Sequence, residues 1–401
     1  MTQAIVLGAG MVGVSTALHL QTRGWSVALV DRTGVGMETS YGNAGLIQGE
    51  AVEPYGMPRK LRQLWAIARG ASNDVRYDLR SLPGHFAPLF RYWWHSAPKR
   101  HRRISAAYSQ MAAAATREHQ ALIERASADH LVRREGFRVM ERDEEAMAAA
   151  LADAERVRAE YGVAFKFLSA SELAAAEPAL KQAGVGAIHW LNAWSVSDPG
   201  ALTKAYAKSF TDAGGTISIG EALSLRQKAS GSWQVDTQGG VLEAEHTVVA
   251  LGPWSPELLR RFGYNYPMVR KRGYHRHYRC QPTLHIPLLD AANGYVMAPM
   301  ARGLRITTGA ELSAPNAPST PWQLERAERA ARELISLGEP VEDQPWLGTR
   351  PCMPAMLPVV DQAPRHKNLW LNFGHGHQGF TLGPVTGRAL AELMSGEQGV
   401  L

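Results

Sequence analysis

The sequence predicts an α/β fold, α+β overall. A dinucleotide-type parallel sheet is built from distant segments and interleaved with a second unit on a mixed, largely antiparallel sheet. Three observations carry this expectation. Near the N-terminus an apolar run, Ala4-Ile5-Val6-Leu7, ends in Gly8-Ala9-Gly10-Met11-Val12-Gly13. A second glycine-rich strand-to-helix turn, Gly374-His375-Gly376-His377-Gln378-Gly379, lies near the C-terminus. Between them, alternating strand patterns are broken by Ala- and Glu-rich helical stretches. At 401 residues the chain is long enough for two such units.

Taken in order, 4–7 reads as a buried strand. A helix follows with Met11, Val14, Ala17 and Leu18 on one face, and Gly24 stops it. Trp25, Val27 and Leu29 alternate as a second strand that ends at Asp31. Gly8 permits the tight turn, Gly10 the approach of backbone to a pyrophosphate, and Gly13 the packing of helix on strand. The helix N-terminus, with Met11 and Val12, offers free N–H groups and the positive end of its dipole. Asp31, with Arg32 beside it, is placed to accept from the ribose hydroxyls of an adenosine. This Rossmann-like pattern points to dinucleotide binding and by itself does not choose between NAD and FAD. The next residues favour FAD. A simple nicotinamide fold usually continues with another helix and strand, whereas 38–45 is small and polar. Ser40, Asn43, Ala44, Gly45 and Leu46 are expected to lie along the cofactor.

Residues 59–135 are expected to be mostly helical, including 105–128. Further helices are expected at 142–161 and from about 171, the latter capped by Ser169 or Ser171. A strand is expected at 186–190. Ser197-Asp198-Pro199 starts a helix whose apolar face is Leu202, Tyr206 and Phe210. Strands are expected at 216–219, 223–226, 233–236, 242–245 and 247–252. The last of these brings Ala250, Gly252 and Trp254 beside the cofactor. Strand patterns recur at 274–278, 294–298 and 304–308. A loop with Pro315, Pro318 and Pro321 then precedes a helix over 322–337. A strand at 369–372 and a helix over 384–394 close the chain. The expected cofactor domain is 1–58, 193–264 and 346–401, and the substrate domain is 59–192 and 265–345.

Composition narrows the partners. Hydrophobic residues at 45% and charged residues at 20% exclude a disordered chain. The excess of 43 Lys and Arg over 37 Asp and Glu gives +6, which suits anionic ligands or a membrane surface, and no nucleic-acid motif appears. Cys280 and Cys352, the only cysteines, exclude a disulfide scaffold and a Cys-only metal cluster and favour a cytoplasmic setting. No apolar run reaches the roughly 18–20 residues of a spanning helix, and no secretion signal is evident.

Five motifs, in order, resemble the FAD-dependent D-amino acid oxidase superfamily, and more closely its bacterial D-amino acid dehydrogenase group. D-hydroxyproline dehydrogenase and glyphosate oxidoreductase are similar too. The motifs are Gly8 to Gly13, Ser40-Tyr41-Gly42-Asn43-Ala44-Gly45, Arg272-Gly273-Tyr274-His275, Gly348-Thr349-Arg350-Pro351 and Phe373-Gly374-His375-Gly376-His377. The resemblance implies FAD-dependent oxidation of an amino acid's Cα–N bond to an imine, with hydride passing to flavin N5. The imine then hydrolyses or cyclises. D-amino acids, D-hydroxyproline and N-substituted glycines all fit, and oxygen or a quinone takes the electrons. Members of the group often carry an acid where this chain has Ala355, which leaves the substrate open. Sarcosine oxidases attach FAD through a cysteine whose matching position is Gly348, so non-covalent FAD is expected.

By the same resemblance Arg350 is the carboxylate-binding arginine, since a guanidinium grips a carboxylate with two parallel bonds. Tyr274 completes the clamp or is a half-buried strand tyrosine. His375 or His377 lines the pocket, and no third ligand makes them a metal site. Gly376, Gly379, Phe380 and Thr381 are expected along the flavin, the following helix pointing its positive end at the pyrimidine edge. In 88–103, the aromatics Phe90, Trp93 and Trp94, with Leu89, precede Lys99, Arg100, Arg102 and Arg103. That order suits peripheral contact with the inner face of the cytoplasmic membrane, or a packed helix with a solvated basic end. The competing reading of the whole chain is an NAD-dependent dehydrogenase or a dinucleotide-binding module without amine oxidation.

Overall fold

Strands covered on both faces read as unbroken apolar runs, and Ala4–Leu7 is buried at every residue. It lies parallel to Val27–Asp31 on one side and His246–Val249 on the other. Thr216–Gln227 and Leu369–Phe373 extend the sheet outward, again in parallel. The hairpin Trp233–Thr237/Gly240–Ala244 and the strand Val359–Gln362 form antiparallel edges, giving eight strands. Val14, Leu18, Phe210 and Leu390 pack the helices Met11–Thr22, Pro199–Asp212 and Gly379–Met394 on one face. Leu7, Trp233, Leu258 and Phe373 fill the other. This computed structural model describes residues 3–59, 73, 75–78, 82–314 and 317–397. Of the mostly helical stretch expected over 59–135, residues 60–72, 74 and 79–81 lie outside the described residues, as does the loop proline Pro315.

The second sheet has ten strands. Its centre, Val269–Tyr278, pairs antiparallel with Gly303–Thr307 and Trp346–Cys352. Two of its pairings are parallel, Leu288–Asp290 with Phe137–Glu141 and Val75–Tyr77 with Ala310–Leu312, so the sheet is mixed and largely antiparallel. Period-two alternation sorts the central strand. Tyr274 and Tyr278 pack with Leu324, Ala327 and Leu334 of the helix Trp322–Leu334. Lys271 and Gly273 face the other way, toward the first sheet. Trp346–Cys352, which lies just past the expected division at 346, pairs within this second sheet.

Local signals hold at the caps. Asp143, Ser169 and Asp198 each accept a first-turn N–H, Ser169 in a capping box with Glu172. Two expectations are corrected. Thr216–Gln227 is one strand rather than two, parallel to its neighbour at first and antiparallel later, with a register shift between Glu221 and Arg226 that mimics a break. The last helix begins at Gly379, not 384, with Pro384 inside it. Proline lacks the N–H that would reach the Phe380 carbonyl. His119 Nε2 donates to that carbonyl instead (2.9 Å), and the Tyr206 hydroxyl donates to His119 Nδ1 (3.0 Å).

Candidate active site

The two sheets and the C-terminal turn enclose a cavity of about 940 Å³. At one end stands the first glycine turn. Gly8 has φ +103°, and a Cβ there would meet the Ala250 carbonyl oxygen at 2.5 Å. A Cβ on Gly13 would lie 1.8 Å from the Gly8 oxygen. Only glycine lets strand and helix approach this closely. The helix Met11–Thr22 has no acid in its first turn and no capping side chain at Gly10. Ser40 Oγ accepts from the Met11 N–H (2.8 Å). Such an end is an anion cradle, and it fits a pyrophosphate.

Asp31 accepts from the N–H groups of Ala9 (2.8 Å), Thr33 (2.9 Å) and Gly34 (3.0 Å). The Thr33 hydroxyl adds a fourth bond (3.3 Å), but three of the four fall on Oδ1; Oδ2 takes only the Ala9 N–H and keeps an acceptor position for a ribose hydroxyl. Arg32 lies 4.1 Å from the Trp254 ring centroid and pairs with Glu38, which shapes the wall beside it. The expected cofactor residues reach this cavity with three exceptions. Gly13 sits behind the turn. Gly45, at φ +71°, is wedged against Met300 and the Val196 carbonyl. Thr381 Oγ1 accepts from the Gln48 N–H (3.2 Å), tying the last helix to the strand Leu46–Gln48.

The polar loop is held from beneath. Asn43 Oδ1 accepts from the Gly45 (2.8 Å) and Leu46 (3.1 Å) N–H groups. Arg305 donates to the carbonyls of Tyr41 (3.0 Å) and Asn43 (2.5 Å), and its Nε donates to His277 Nε2 (3.0 Å). His277 Nδ1 donates in turn to Glu342 (2.6 Å). Burial, then Arg305, lowers the His277 pKa, which suits its role as acceptor from Arg305. No short-range motif announces this support, because its members come from separate strands and a loop.

At the other end the second sheet presents Arg350 and Lys271, directly opposite each other in register. Arg350 donates to the carbonyls of Thr308 (2.8 Å) and Gly309 (2.7 Å). Lys271 donates to the Tyr92 hydroxyl (3.4 Å). His377 packs against Tyr55, ring centroids 4.9 Å apart, and accepts at Nε2 from the Gln378 amide (3.2 Å). Its pKa is lowered to about 3 by burial, then by Arg350 and Lys271, so it is neutral at ordinary pH. His375, though in the same wall, turns its Nε2 to Thr386 Oγ1 (2.9 Å) and anchors the last helix.

Of the two readings of Tyr274, the hydrogen bonds favour the strand tyrosine. Tyr274 borders the cavity, but its hydroxyl donates to Glu311 (2.8 Å) and accepts from Arg272 (2.9 Å) and the Thr320 N–H (2.9 Å), none of which lines it. The phenol is committed to that network. Arg272, held by Glu311 and the Ala317 and Pro318 carbonyls, is committed to the same network. Sequence reasoning missed Lys271, Tyr55 and Tyr92. They meet only through strand register and through the helix Leu82–His95, which lays Leu89 and Tyr92 over the cavity.

A cradle for a dinucleotide and a buried cationic end define a flavin-type oxidoreductase site. The DAO family profile, described as FAD-dependent oxidoreductase, matches residues 3–393, and the chain belongs to that family. FAD is its cofactor. A D-amino acid dehydrogenase of Dechloromonas aromatica is 32% identical, covering 99% of this chain and 97% of its own. A D-amino acid dehydrogenase of Chromohalobacter salexigens is 28% identical over 99% and 96%. Among solved structures, glycine oxidase of Geobacillus kaustophilus shares the fold at a TM-score of 0.74 and 22% identity, covering 99% of this chain and 95% of that one. The NAD reading is not favoured.

Proposed function

We propose that this enzyme oxidises the Cα–N bond of a small amino acid (a D-amino acid, D-hydroxyproline or an N-substituted glycine) to an imine, which then hydrolyses or cyclises. Bound FAD supplies the acceptor for the Cα hydrogen and its electron pair, while the amine nitrogen gives a proton to solvent. The observation that carries this reading is Arg350. It lines the cavity, its fork is pinned by two carbonyls, and no carboxylate partners it among the described residues. Two of its five N–H groups are used, leaving donors for a substrate carboxylate. His377, neutral, serves as a hydrogen-bonding wall rather than a charge. Holding the substrate in one pose supplies much of the rate.

Trp346 supports non-covalent FAD. A Cβ on Gly348 would lie 1.9 Å from its indole, so that position has no room for an attaching side chain. We assign the cradle to a cofactor unit of 1–58, 193–264 and 353–401, and the cationic wall to a substrate unit formed by the rest. Electrons pass to quinone or oxygen.

Peripheral attachment to the inner face of the cytoplasmic membrane is supported by Phe86, Phe90 and Trp94, exposed by 70, 52 and 48% on the helix Leu82–His95. Leu89 does not share that face, since it lines the cavity. No described helix is long and apolar enough to cross a membrane.

The test is an anaerobic panel of these amino acids, with flavin bleaching as readout and an artificial dye as acceptor. Bleaching by at least one class supports the reading. If no member bleaches a flavin-loaded protein, the reading is wrong.

A further inference from the structure

We infer that the site is built for an amino acid with a second carboxylate, and that Lys271 holds that second group. The inference rests on the amine-oxidation reading above and names its substrate class.

Lys271 and Arg350 are direct partners on antiparallel strands, so both side chains leave the same sheet face. Cβ atoms so paired stand about 5 Å apart, and like charges in that relation repel. Neither residue has an ion-pair partner among the described residues; their recorded bonds go to a phenol and to carbonyls. The cavity's acids do not offset them. Asp31, Glu38, Glu221 and Glu257 line it from the glycine-turn, Arg32 and Trp254 side, at the nucleotide end. Around the two cations stand Tyr92, Tyr55, His377 and Cys352. Of the acids in the adjoining loop, Glu53 is bound by Arg156 and Tyr161, and burial pushes Glu50 up to about 7.

The two charged heads also diverge. The guanidinium lies over Gly273, where a Cβ would be 2.8 Å from Nη2, and is fixed by Thr308 and Gly309. The ammonium turns instead toward the helix Leu82–His95, 4.5 Å from the Tyr92 ring centroid. A single carboxylate satisfies the fork and leaves the ammonium with only the Tyr92 hydroxyl and ring as partners. One long hydrogen bond leaves N–H donors of the ammonium free, and a second anion would take them and offset the repulsion between the cations.

The experiment compares near-isosteric pairs under anaerobic conditions: D-glutamate with D-glutamine, D-aspartate with D-asparagine, iminodiacetate with its monoamide. The readout is kcat/KM for flavin bleaching. In at least one pair the acid is expected to exceed the amide by roughly tenfold or more. Lys271→Met should bring that ratio near one, and Lys271→Arg should retain part of it. Bound-flavin absorbance reports folding, with Lys271→Gln as the second variant should Met fail to load. Amides matching or beating acids in every pair, or a Lys271→Met enzyme that keeps the acid preference, overturns the inference. In that case bleaching by neutral amino acids leaves the amine-oxidation reading standing. No bleaching by any amine removes both.

Discussion

Arg350 shows how much one side chain is asked to do. Arg350→Ala should cost on the order of 3–5 kcal/mol in kcat/KM toward amino acids. Flavin content should stay near that of the parent, because the cradle at Gly8 and Met11 is untouched. Arg350→Lys keeps the charge and loses the planar fork, so it should raise KM and also slow flavin reduction. Stopped-flow bleaching separates the two effects. Parent-like efficiency in Arg350→Ala would move the anchor to Lys271, since Arg272 and Arg305 are committed elsewhere. At this scale the glycines were legible in the sequence because their requirement is local: a Cβ at Gly8 or Gly13 collides with atoms a few residues or one strand away. Lys271 was not legible, because its meaning depends on which residue sits opposite it. Tyr274 was left between two readings for the same reason. A strand position tells that a side chain alternates, not which face holds the site.

At the scale of elements, the last helix survives an internal proline because another helix lends it a donor. His119→Phe should leave the Phe380 carbonyl unpaired and cost about 1–3 kcal/mol. Pro384→Ala restores the backbone N–H, so the double variant should be less destabilised than the sum of the singles. Denaturant titration of all four proteins closes the cycle, and strict additivity would show that His119 does not act through this carbonyl. The sequence placed the helix start at Pro384 because proline favours a first turn, and the compensating histidine lies far off in the chain. The helix Leu82–His95 divides its faces between cavity and solvent, and its exposed aromatics precede a basic run. Sedimentation with anionic vesicles at low salt should carry the protein down, and Phe90→Glu with Trp94→Glu should leave it in the supernatant. Equal sedimentation of both proteins would sever the link between this face and lipid.

For the whole molecule, buried neutral histidines set the response to acid. Burial lowers His19, His375 and His377 to about 3 and His119 to about 4. Each titrates near 6.5 when unfolded, so below that pH the unfolded chain binds more protons. Their contribution is complete above pH 6.5 and is lost as pH falls toward 3–4, at up to about 1.4 kcal/mol per pH unit for each. Glu50, raised to about 7, opposes them, its contribution fading as pH rises from 4.5 to 7. Four groups outweigh one. The melting temperature should therefore fall steeply between pH 6.5 and 5, and a flat profile there would mean that these histidines are solvated. The two-unit plan was legible because the glycine turns at both ends of the chain mark one sheet. The sheet that takes up Trp346–Cys352 was not, since the strand carries no signal of which one receives it.

The parallel sheet also imposes an order on synthesis. The glycine turn at Gly8 leaves the ribosome well before Leu369–Phe373, which pairs with His246–Val249 in the same sheet. At ordinary elongation rates the interval is on the order of half a minute or more. Through that time the N-terminal strand and helix have no C-terminal helix to cover them, and the wall that Gly376 to Phe380 adds to the cavity does not exist. Cofactor capture thus waits for the turn that carries Gly376 to Phe380. Starvation for flavin would act on chains already folded around an unfilled cavity, which a ligand bound only by the folded form would otherwise stabilise.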